Sequence, residues 1–192
     1  YQTAMKNMLP ILFVILSSNC FAVSLISAKT NISGHVVASV CTITISDGSA
    51  RSLSEGVIDF GVYNKSTRTG MPEKSIVINL FEPGAEGPGC SAFKAGSSGL
   101  VKFKFGDEGG DQLDSRGVVT RGAGDGVRIA ISSVDSGHVS SVAKITADNN
   151  VLSYPSSFAT QGVFNFKARV EGLDSATSGT YSGSLSLVVS YE

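Results

Sequence analysis

Three cysteines (Cys20, Cys41, Cys90) and two histidines (His35, His138) are the soft ligands and strongest nucleophile candidates in this chain. They are scattered rather than clustered. A structural zinc site takes four such ligands at close spacing, and a copper/zinc dismutase centre on a β-sandwich would need several histidines. Neither histidine sits in a nucleophile motif, and Gly-x-Ser-x-Gly is absent. Gly122-Ala123-Gly124-Asp125-Gly126 has the glycine density of a phosphate-cradling loop, but no helical segment follows it and no Lys-Ser/Thr completes it. A hairpin turn is expected there instead. Asp107, Glu108, Asp111 and Asp114 offer hard oxygens without the ligand spacing of a calcium loop, so they read as a solvated surface segment. No catalytic residue, metal or cofactor is expected, and the chain reads as a non-enzyme.

The elements that would carry any site follow from composition and pattern. The formal net charge is -1 and acids and bases are interspersed, which leaves no electrostatic footprint for nucleic acid or a membrane surface. Twenty-two glycines, no tryptophan and 16% charged residues point to short strands joined by turns. At 192 residues there is material for one ordinary domain.

Residues 1–22 read as a secretory signal. Lys6 follows Met5, an apolar run extends from Met8 to Leu16, and Cys20-Phe21-Ala22 presents small residues where a signal peptidase reads them, placing cleavage after Ala22. An apolar run of about nine residues is too short to span a bilayer, which needs roughly 20, so no transmembrane span is expected. Tyr1–Ala4 precede the natural-looking start at Met5 and read as an over-extended frame. Cleavage removes Cys20 and leaves Cys41 and Cys90, an even count that reads as one disulfide in an exported protein. Closing that loop stabilises the fold by roughly 3–4 kcal/mol in the chain-entropy model.

From residue 23 onward no segment sustains a helical period, while period-two segments recur. Strands are expected at Gly34–Ile45, Gly56–Tyr63, Lys74–Phe81, Leu100–Phe105, Val127–Ser132, Val139–Ile145, Val163–Val170 and Tyr181–Tyr191, separated by Gly-, Asp- and Ser-rich breaks. That pattern suggests an antiparallel sandwich. In the last strand Tyr181, Gly183, Leu185, Leu187, Val189 and Tyr191 share one face, expected to be buried, against serines on the other. Phe164, Phe166, Ala168 and Val170 repeat the pattern one strand earlier. Residues 23–33 form an arm ahead of the first expected strand, with Ile26, Ala28, Thr30 and Ile32 on one face. Two readings fit it: a strand that adds to another molecule's sheet edge, or a terminus that is disordered or pairs with its own fold.

Several of these segments together resemble the type 1 fimbrial pilins assembled by the chaperone–usher pathway. Ile32-Ser33-Gly34-His35-Val36-Val37-Ala38-Ser39-Val40-Cys41 is similar to their first strand running into the first cysteine. Val57-Ile58-Asp59-Phe60-Gly61 is similar to the second strand, and Ile76-Val77-Ile78-Asn79-Leu80 with Cys90 to the segment carrying the second cysteine. Gly126-Val127-Arg128-Ile129-Ala130-Ile131 resembles the central strand. Phe166-Lys167-Ala168, Gly179-Thr180-Tyr181-Ser182-Gly183 and Val189-Ser190-Tyr191-Glu192 resemble the C-terminal signature with its penultimate tyrosine. The likeness covers nearly all of residues 23–192, in order. One departure is the Pro/Gly-rich stretch Phe81–Gly89, where the family usually places its cysteine a few residues after the strand.

The resemblance implies an all-β, incomplete immunoglobulin-like sandwich that lacks its seventh strand and is completed by donor-strand exchange. It implies a structural subunit of a surface fimbria that supports adhesion, exported through the periplasm. The implied partners are a periplasmic chaperone, an outer-membrane usher and neighbouring pilin subunits. Residues 34–192 would be the pilin domain and 23–33 the donor arm, inserting Ile26, Ala28, Thr30 and Ile32, with Ala28 near a position where the family prefers glycine. Val36, Ala38, Leu185, Leu187, Val189 and Tyr191 would line the acceptor groove and chaperone edge. The alternative from another class is a secreted, monomeric β-sandwich that binds carbohydrate or protein.

Overall fold

The computed structural model describes residues 24–37, 39–48, 56–136 and 144–192. The signal segment 1–22, Ala38, His138 and most of the expected strand Val139–Ile145 lie outside them.

The strands, in chain order, are β1 (Leu25–Val36), β2 (Thr42–Ser46), β3 (Val57–Asn64), β4 (Thr69–Gly70), β5 (Lys74–Phe81), β6 (Leu100–Phe105), β7 (Leu113–Asp114), β8 (Gly117–Gly122), β9 (Arg128–Ser133), β10 (Val151–Pro155), β11 (Val163–Glu171) and β12 (Gly179–Tyr191). Between β10 and β11 lies one turn of helix, α1 (Ser156–Ala159), and two 3₁₀ turns cover Ser91–Ala95 and Leu173–Ser175. The protein is all-β, as its period-two segments demand.

Hydrogen bonding runs continuously, but the sheet folds over itself into two layers. One layer runs β2-β5-β11-β9-β8. The other runs from β12 through β1 and β3 to β4, with β6 and β10 extending it from β12's opposite edge. β8 joins the layers, pairing with β9 through Val118 and Val119 and with β12 through Thr120 to Gly122. Gly122 allows that crossing: its φ is +153°, and a Cβ there would run into the Thr180 carbonyl oxygen. The core forms where the layers face each other. Phe103 on β6 meets Phe164 on β11 with ring centroids 4.4 Å apart, and Phe105 meets Phe166 at 5.8 Å. Tyr154 is fully buried beside Phe103 and Phe164, and burial pushes its phenol well above the ordinary tyrosine range.

Cys41 and Cys90 form a disulfide with a Cα–Cα distance of 6.1 Å. The long stretch after β5 does not prevent it. The Gly89 N–H donates to the Leu80 carbonyl and the Cys90 N–H to the Thr160 carbonyl, which folds the loop back against the sheet.

Three sequence expectations change. Gly34–Ile45 is not one strand: β1 ends at Val36, and β2 begins at Thr42 in the other layer, against β5. The sandwich is not wholly antiparallel, because β1 and β12 run parallel from Ile26↔Gly179 to Val36↔Val189. β8 and β10 went unrecognised. β8 is short and bounded by glycines, and β10 ends in a proline, tolerated in a strand that among the described strands pairs with β6 alone.

Candidate functional site

The residues with the oldest claim to chemistry disperse into structural roles. Asp107 accepts the N–H groups of Asp111 and Gln112 and closes its own turn. Asp114 accepts from the Arg116 and Gly117 N–H groups and pairs with Arg128 at 2.7 Å. Burial would raise the Asp114 pKa, but those backbone donors and the Arg128 guanidinium outweigh it and hold the carboxyl below its ordinary value. Among the described residues no group of three or more His, Cys, Asp or Glu is placed to hold a metal ion. Gly122–Gly126 is the connection between the paired strands β8 and β9, and the Gly126 carbonyl accepts from Arg116 Nη2 at 2.7 Å.

The N-terminal arm is where the geometry concentrates. β1 lies between β12 and β3, hydrogen-bonded on both edges. Period-two alternation turns one face inward: Ile26 is 0% exposed, Ala28 2%, Thr30 0% and Ile32 3%, whereas Leu25, Lys29 and Asn31 are exposed. Thr30 is a polar side chain among apolar ones, and its hydroxyl donates to the Gly183 carbonyl at 3.2 Å. Opposite Ala28, Phe60 and Gly61 of β3 face a single residue of β1, a bulge made possible by the positive φ of Gly61 and fastened by Asp59 Oδ1 accepting the Gly61 N–H at 2.9 Å. Ala28 stands beside the buried ring of Tyr181, so a small side chain suits this point of the strand.

On the other side of this slot, Leu185, Leu187 and Val189 are buried on β12, paired with Ile32, Gly34 and Val36 of β1. Tyr191 is half-buried and meets Phe93 edge-on at 5.3 Å. Ala38 lies outside the described residues. The second wall of the slot is β3, with Ile58, Phe60 and Tyr63 buried, while Val36, expected to line the groove, belongs to β1 itself. Sequence reading missed those wall residues, although the alternation in Val57–Phe60 carried the signal. Tyr63 donates its hydroxyl to Asp174, and burial together with that carboxylate raises its phenol's pKa.

β1 is therefore the first strand of the described residues, and it supplies core side chains along a slot between two strands. Comparison with family models matches residues 5–192 to K88 fimbrial protein A. The chain belongs to the K88 fimbrial protein A family. This is a family of chaperone–usher fimbrial subunits, consistent with the likeness to type 1 pilins. The protein is accordingly a fimbrial structural subunit, and its family places it at the surface fimbrium. A search of curated proteins gives no match. No helix among the described residues of this fimbrial subunit is long and apolar enough to cross a membrane.

Proposed function

We propose that this fimbrial subunit polymerises by exchanging β1 between copies. The observation that carries the reading is the slot between β12 and β3. It is filled by alternate side chains of the first described strand, Ile26, Ala28, Thr30 and Ile32, and by main-chain hydrogen bonds on both edges. Main-chain pairing combined with pockets for alternate side chains is the physics of strand addition, of which chaperone–pilin complementation is a known instance. A slot that accepts β1 of its own chain accepts β1 of an identical neighbour. In a free chain the strand closes its own sheet, and in a fibre the neighbour's strand takes that place. Vacating the slot strands the backbone donors and acceptors of β12 and β3 and exposes Leu185, Leu187 and Val189, a state that calls for a protecting partner.

On this reading residues 1–22 direct export and are removed. A periplasmic chaperone holds the β12 edge until an outer-membrane usher passes the subunit to the growing fibre, which supports adhesion. A second reading keeps β1 permanently in its own sheet as part of a secreted monomeric binding module; the intrachain β1–β12 pairing is the observation in its favour.

One experiment separates the two. The chain is produced without residues 23–33, a peptide of those residues is added, and melting temperature and oligomeric state are followed. Exchange requires that the peptide raise the truncated chain's melting temperature and that the truncated chain, mixed with the intact one, take up the intact chain's β1 to form oligomers, whereas a permanently self-paired β1 leaves the intact chain monomeric in that mixture. A truncated chain that stays monomeric and melts like the intact one refutes exchange.

A further inference from the structure

Two charged surfaces of this chain are built by the fold and left without full neutralisation. The first is a cleft of about 280 Å³ on the outward surface of the layer β2-β5-β11-β9-β8, lined by Glu73, Ala130, Ser132, Lys144, Lys167 and Arg169. On β11, Phe166 and Ala168 turn into the core, so Lys167 and Arg169 stand together on the outer face. Their partners on β9, Ser132 and Ala130, are small, and Ala130 forms the floor. The Ile145 N–H donates to the Ile131 carbonyl and sets Lys144 on the far side. Glu171 accepts from Arg169 Nε and Nη2 at 3.1 and 3.0 Å and meets Lys144 Nζ at 3.5 Å, which braces both cations and neutralises one. Lys167 has no ion pair among the described residues.

The second surface is the turn between β6 and β7. Residues 107–111 are all exposed and carry three acids, Asp107, Glu108 and Asp111. The turn is fastened from within. The Gly110 N–H donates to the Asp107 carbonyl at 3.2 Å, and Asp107 Oδ1 accepts the Asp111 and Gln112 N–H groups at 3.2 and 3.3 Å. A Cβ at Gly109 would stand 3.2 Å from Asp107 Oδ2 and 3.7 Å from Asp111 Oδ2, so both carboxylates gather over this glycine. Among the described residues no cation pairs with any of the three acids. Like charges held this close gain from a cation brought by another molecule.

We propose that the outer cleft of one copy receives the acidic turn at residues 107–111 of a second copy, with Glu108 leading between Lys144, Lys167 and Arg169. The chain carries both halves of the contact, which is what a contact between copies requires. Ammonium and guanidinium groups held in place bind carboxylates well. Glu73 on the cleft lining repels a long run of acids, so a short turn with one protruding glutamate fits better than an acidic strand. Because turn and cleft are different patches, copies meet either head to tail or as a reciprocal two-fold pair. The cleft lies on the opposite layer from the β12-β1-β3 seam, so the contact is separate from strand exchange and does not depend on it. Where copies are already linked in a fibre, their high effective concentration turns a weak contact into an occupied one.

The test follows the chain from residue 23 by amide NMR and sedimentation at low salt, up to about 1 mM, where a weak pair of copies is populated. The expected result is a rise in mass with concentration, and shifts at two separate sets of amides, Ser132, Lys167 and Arg169 on one side and Glu108, Gly109 and Gly110 on the other. Salt at about 0.5 M should weaken the association about tenfold or more by screening. Lys167→Glu and Glu108→Lys should each weaken it about tenfold or more by placing like charges together. Both residues are exposed and without an ion pair among the described residues, so each variant should keep the intact chain's melting temperature. Mixing the two variants should restore association, because the reversed turn of one meets the reversed cleft of the other. Absence of association at about 1 mM, or failure of the mixture to recover it, overturns the proposal. Oligomers that persist unchanged in salt and in both variants report strand exchange alone and also overturn it, whereas loss of the charge contact leaves strand exchange untouched. Shifts at the cleft amides with a tetraglutamate peptide, at concentrations where a second copy gives none, assign the cleft to a foreign acidic partner and overturn it too.

Discussion

Replacing Ile26 by alanine tests whether β1 is part of the folded core, on which every account of this fimbrial subunit depends. Ile26 is fully buried, set between Gly179 on β12 and Tyr63 on β3. The substitution removes the side-chain carbons beyond Cβ, about 2.4 kcal/mol of transfer free energy at about 0.8 kcal/mol per carbon. Incomplete collapse of the resulting cavity adds to this, giving about 3–4 kcal/mol in total. With a urea slope of about 2 kcal/mol per molar, the unfolding midpoint of the monomer should fall by about 1.5–2 M. Lys29 lies on the opposite, exposed face of the same strand, so Lys29→Ala should move the midpoint by about 0.25 M or less. The comparison removes any general effect of altering the arm. If Ile26→Ala and Lys29→Ala shift the midpoint equally, β1 is not seated in the slot and the reasoning fails.

Three further perturbations probe the frame around the slot. Replacing Cys41 and Cys90 together by alanine opens a loop of sequence separation 49 and should cost about 4 kcal/mol, read from chemical denaturation with the intact chain as reference. Gly122→Ala should destabilise by more than about 2 kcal/mol because its Cβ meets the Thr180 carbonyl at a positive φ, and a wild-type melting temperature would refute the β8–β12 register. Asp114 has a folded pKa below its unfolded value of about 3.9, so it contributes stability above that pH that is lost as pH falls through the folded value. Asp114→Asn should therefore lower stability at pH 7 and flatten the acid limb below about pH 4, measured by urea titrations across that range.

Alternation along single segments carried much of the fold. β5 and β6 sit at the ends expected from their residues, and β3, β9, β11 and β12 within a residue or two, because each buries one face and a register slip would expose it. The disulfide followed from an even cysteine count, and the inward set of β12 from its serine-flanked apolar residues. β8 and β10 escaped because a strand of five or six residues with glycine or proline at its ends carries too little pattern to separate from a loop.

The arm divides most sharply what the chain's linear order determines from what it leaves open. Period two dictated that Ile26, Ala28, Thr30 and Ile32 share a face, because successive side chains of any extended strand point to opposite sides. The same period is compatible with a parallel or an antiparallel neighbour, and with a neighbour in the same chain or another. Only the tertiary structure decided that β1 runs parallel to β12, that β3 rather than the residues after Val36 forms its second wall, and that a bulge at Phe60–Gly61 absorbs the mismatch beside Ala28. Those choices rest on hydrogen-bond partners and side-chain volumes from segments far apart in the sequence. The outer cleft has the same origin: Ala130, Lys144 and Lys167 lie apart in sequence and line one cleft only where β9 and β11 lie side by side.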